Sequence, residues 1–196
     1  MHIQQSTDLS KYLKPDPSTP RGRASSVRYS NKRLCKACEQ AGFQPVLREQ
    51  VASYVNDFFA LMEIPIVEKP ILILTDAGID YNQIKQENKL ADVRDIIWIK
   101  FTLDGFVGVV AKSNDINFDI PRSNEDCFKK HNGKWVHNTS GIITYNVGKE
   151  WDKSFVLLFP IKQIPKGQNS GSIETGVGNY LISQGVPILD YYSLNY

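Results

Sequence analysis

Along residues 47–63, apolar side chains return every three or four positions, at Leu47, Val51, Tyr54, Val55, Phe58 and Met62. That spacing lines one face of an α-helix, and Pro65 stops it. A shorter helix is expected over residues 31–41, with Ser30 as its N-cap and Gly42 past its end. The pattern then changes. Pro70-Ile71-Leu72-Ile73-Leu74-Thr75 is apolar throughout, as in a strand buried on both faces. Residues 77–93 are polar and carry at most a weak helix.

Asp104-Gly105 is flanked by apolar residues on both sides, and that dipeptide favours the positive φ angles of a two-residue hairpin turn. Setting Leu103 opposite Phe106 pairs Phe101 with Gly108, Ile99 with Val110 and Ile97 with Lys112. Ile97, Ile99, Phe101, Leu103, Phe106 and Val110 then share one face, with Trp98, Lys100, Thr102, Val107 and Val109 on the other. Further strands are expected at 117–120, 141–145 and 155–159, and a short helix at 124–132 between Ser123 and Gly133. A helix over 173–184 stops at Gly185, and residues 186–189 close the chain's pattern as an edge strand. Helices first and hairpin-rich strands afterwards predict an α+β fold. Its N-terminal helices pack on a mainly antiparallel sheet with a central Asp-Gly hairpin and a C-terminal helix and strand.

Composition adds two things. Residues 1–29 hold Pro15, Pro17 and Pro20 among polar residues without an apolar period, so they form a basic, flexible arm ahead of a single α+β domain at 30–196. Charge is uneven although the net value is only +2: residues 1–36 carry eight cations against two acids, and residues 63–126 twelve acids against seven bases. No apolar run is long enough to span a membrane, no export signal opens the chain, and three cysteines make a disulfide framework an unsuitable reading. The expectation is a cytoplasmic protein with no membrane partner.

Several groups suggest chemistry. Asp76 and Asp80 follow an apolar strand, where carboxylates can hold Mg²⁺ for phosphoryl chemistry, and Glu174 could act as general acid or base. Zinc is the alternative metal, through Cys35 and Cys38 with Cys127 and His131. Cys35 and Cys38 fall inside a predicted helix, where ordinary buried or half-buried thiols are the stronger reading. The basic residues Arg21, Arg23, Arg28, Lys32 and Arg33 can follow a phosphate backbone. Lys166, Ser170 and Ser172, around a glycine-containing loop that opens a helix, can meet an anion. Together these predict a nucleic-acid-directed protein, with a divalent-metal-dependent nuclease as its catalytic form. The alternative is a non-enzymatic inhibitor or protein-binding module that uses Tyr191, Tyr192 and Tyr196; a nucleotide-binding domain is the third reading.

Overall fold

The computed structural model describes residues 9–13, 44–74, 80–102, 105–114, 128–131, 133–137 and 155–190. In chain order the elements are a 3₁₀ turn (Leu9–Lys11), α1 (Arg48–Leu61), β1 (Ile71–Leu74), α2 (Tyr81–Glu87), β2 (Asp95–Phe101), β3 (Val107–Ser113), β4 (Phe128–His131), β5 (Lys134–His137), β6 (Phe155–Ile161), α3 (Ser170–Ser183) and β7 (Ile188–Asp190). Five strands form one sheet in the order β1-β6-β2-β3-β7, antiparallel except for the parallel pair β3–β7. The fold is α+β.

α1 and α3 pack on each other, and α3 lies against β2 and β3. The helical period does this work: Val51, Val55, Phe58 and Phe59 of α1 and Ile173, Val177 and Leu181 of α3 are fully buried. They share one cluster with Ile97, Ile99 and Phe101 of β2 and Leu157, Phe159 and Ile161 of β6. Each such side chain contributes roughly 1.5–3 kcal/mol by leaving water, so this seam dominates the stability of the fold. The opposite face of the same strands is buried too, through Ile96, Trp98, Lys100, Thr102, Val156 and Leu158. Both faces of β2 and β6 are therefore interior, which suits their near-continuous apolar sequence.

The β2–β3 hairpin follows the predicted register in its body, with Ile97 opposite Lys112 and Ile99 opposite Val110. Near the turn it departs. Phe101 faces Val107 and not Gly108, because the register shifts by one residue between Lys100 and Phe101. A bulge places an extra residue on one strand and swaps faces beyond it. Accordingly Val107 joins the helix-side cluster with Val110, and Phe106 is buried outside that cluster. Phe101 stacks on Phe155 with ring centroids 4.6 Å apart. Leu103 and Asp104 lie outside the described residues.

Three other expectations change. Among the described residues the strand at Ile71–Leu74 pairs with β6 alone and so stands at the edge of the sheet, and Leu72, expected to be buried, is 42% exposed. Residues 128–131 are a strand and not a helix, paired with β5 so that His131 faces Lys134. Gly133, with φ of +76°, serves a hairpin there and does not end a helix; Asn132-Gly133 is itself a strong hairpin dipeptide. Finally, five residues of the expected arm are docked. Tyr12 meets Phe58 and Tyr180 edge-on at 6.3 and 5.4 Å, and the buried Asn179 side chain donates from Nδ2 to the Tyr12 carbonyl at 2.7 Å. The rest of residues 1–29, the expected helix at 31–41 and the expected strands at 117–120 and 141–145 lie outside the described residues.

Candidate anion-binding groove

β6 runs antiparallel to both β1 and β2, so the start of β1, the end of β6 and the start of β2 meet at one end of the sheet. β1 begins its ladder at Ile71 opposite Leu158, whereas β2 still pairs with β6 at Asp95 and Ile161. Pro160 stands between those limits. It has no N–H to give to a further residue of β1. Among the described residues the sheet is one strand narrower beyond that point, and an open groove of about 490 Å³ lies there.

Three connections wall the groove: residues 65–71 leading into β1, residues 88–93 between α2 and β2, and Pro160 with Lys162. Among the described residues its apolar surface comes from Pro65, Ile66, Val67, Ile71, Leu90, Val93 and Pro160, and its charges are Lys69, Lys89, Lys162 and Glu68. All four charged side chains are exposed. Among the described residues none of the three lysines forms an ion pair. The first wall is held by Asn56 of α1, whose side chain donates to the Val67 carbonyl and accepts the Val67 N–H, each at 2.9 Å.

Lys89 owes its position to the way α2 ends. The Leu90 N–H bonds the Lys85 carbonyl at 2.9 Å and the Lys89 N–H bonds the Gln86 carbonyl at 3.3 Å. These are the two bonds of a Schellman motif, whose first residue beyond the cap takes a left-handed conformation and is usually glycine. Here that residue is Lys89, with φ of +55°. α1 ends in the same way, with Ile64 bonded to Phe59, Glu63 bonded to Ala60 and Glu63 at φ of +56°. α3 uses the ordinary glycine, Gly185 at φ of +82°. A lysine in this conformation costs about 1–2 kcal/mol that a glycine avoids.

Of the residues predicted as catalytic or anion-binding, Asp80, Lys166, Ser170, Ser172 and Glu174 are described, and none of these lines the groove. Asp80 is the N-cap of α2 and accepts the N–H groups of Asn82 and Gln83, both at 3.0 Å. Glu174 accepts the Lys112 N–H at 3.1 Å. Among the described residues β7 pairs with β3 at Val107 and Val109, and Glu174 satisfies a β3 amide further along the strand. Ser172 and Asn169 form a capping box at the start of α3: Asn169 Oδ1 accepts the Ser172 N–H at 3.0 Å and Ser172 Oγ accepts the Asn169 N–H at 3.1 Å. That box already uses the Ser172 amide of the helix's first turn. Ser170 is buried, and Lys166 is exposed in a turn whose Gly167 has φ of +84°.

Asp76, Arg21, Arg23, Arg28, Lys32, Arg33, Cys35, Cys38, Cys127, Tyr191, Tyr192 and Tyr196 lie outside the described residues, as does the side chain of His131. Among the described residues no three His, Cys, Asp or Glu side chains gather as a metal site, and no helix is long and apolar enough to cross a membrane. The groove lysines had no local signature, since each sits singly in a polar connection. No protein-family model, no curated protein sequence and no solved structure matches this chain.

Proposed function

We propose that this protein binds nucleic acid, with the groove at the narrowed end of the sheet as its contact site. The observation that carries the reading is the convergence of Lys69, Lys89 and Lys162, from three separate connections, on one groove. Lysines on a concave surface that form no ion pair among the described residues attract phosphates. The surplus of six positive charges over residues 1–36 supports the same partner, because a basic segment adds affinity that is independent of sequence. Cleavage is not part of the proposal. Asp80 and Glu174 have structural partners, and Asp76 lies outside the described residues.

The test is binding of a labelled oligonucleotide to the full chain, followed by fluorescence anisotropy across a salt series. Phosphate neutralisation releases counterions, so affinity should fall as salt rises. Replacing Lys69, Lys89 and Lys162 together with glutamine should weaken binding and flatten the logarithmic salt slope by about 2, at roughly 0.7 per single-strand phosphate contact. Unchanged affinity and slope in that variant would refute the proposal.

A further inference from the structure

We infer that the groove takes a single strand of nucleic acid and not a duplex, with phosphates on the three lysines and a base or sugar edge against the apolar wall; this rests on the nucleic-acid reading above. A groove of about 490 Å³ has the size of a small-molecule site, suited to a few unstacked groups. A duplex keeps its base faces stacked inside and offers phosphates on a wide convex surface. It would touch the lysines at the rim and leave the wall bare. Yet that wall carries Ile66, 54% exposed, together with Pro65, Val93 and Pro160. A single strand presents unstacked bases and sugar edges to cover such a surface.

Glu68 points to the same occupant. Among the described residues it is the only carboxylate of the lining, and it stands next in sequence to Lys69. A carboxylate repels a phosphate and accepts N–H and O–H groups. It suits base amino groups or a ribose hydroxyl and is out of place in a site built for backbone phosphates alone.

Anisotropy with the full chain decides this, using single-stranded DNA, single-stranded RNA and a duplex of one sequence. Both single strands should bind more tightly than the duplex. Ile66→Ser, at an exposed site that leaves the core intact, should weaken single-strand binding by ~fivefold, equivalent to about 1 kcal/mol of lost apolar contact. Duplex affinity and the salt slope should not move in that variant. Equal or tighter duplex binding, or no effect of Ile66→Ser, overturns the single-strand inference while leaving nucleic-acid binding in place. Wild-type affinity in the triple lysine variant overturns the underlying reading instead.

Discussion

Replacing Lys89 with glycine should make the protein more stable and a poorer binder. Lys89 occupies the left-handed position of a complete Schellman motif, where an L-residue costs about 1–2 kcal/mol. Glycine avoids that cost but loses about 0.5–1 kcal/mol more entropy on folding. The net expected gain is about 0.5–1 kcal/mol, or about 2 °C in Tm for a chain of this length class. Both bonds of the motif are made by backbone atoms, so they survive the substitution. Glu63→Gly is the control: it has the same geometry at the end of α1 and is not part of the groove lining. Urea midpoints should rise in both variants. Oligonucleotide affinity and salt slope should fall only in Lys89→Gly, the slope by roughly 0.7. A midpoint that does not rise would refute the strain argument. A midpoint that rises while binding is unchanged would remove Lys89 from the site.

Other substitutions probe the frame that holds the groove. A methyl group at Gly176 would run into the ring of Phe58 and the side chain of Leu13, so Gly176→Ala should cost about 1–3 kcal/mol. Denaturation of the double variant with Phe58→Leu should reveal strong coupling; strict additivity would count against the clash. Asp80→Ala removes the acceptor for two amides of α2 and should cost about 1 kcal/mol, seen first as faster hydrogen exchange in residues 81–87; unchanged exchange would deny the cap its role. The Tyr180 hydroxyl is pushed above the ordinary tyrosine range, first by burial and then by Asp57, Tyr12 and Tyr54. Folding therefore favours the protonated form: its contribution is complete below about pH 10 and is lost as pH rises through the raised value. Urea midpoints should fall over that alkaline window in the wild type and less in Tyr180→Phe.

Much of the local structure was legible in single stretches of sequence. The three- and four-residue spacing of Val51, Val55 and Phe58 defines the buried face of α1, and Gly185 ends α3 where positive φ is required. The pairing of Ile97 and Ile99 across the hairpin follows from strand alternation. Each of these depends on neighbours within a few residues, and periodicity reports such neighbours directly. Where local signals competed, reading them in isolation failed. Gly133 fits a helix stop as well as a hairpin turn, and only pairing with β5 separates them. The shift at Phe101 lies in the pairing with β3, which no alternation in β2 alone expresses.

The groove belongs wholly to the tertiary structure. Lys69, Lys89 and Lys162 stand in three separate connections, and they converge only because β6 inserts between β1 and β2. Strand order is a long-range property, set by which apolar faces bury best together. Charge and propensity along the chain determine what each segment can be. They do not determine which segments become neighbours, and a binding site is made of neighbours.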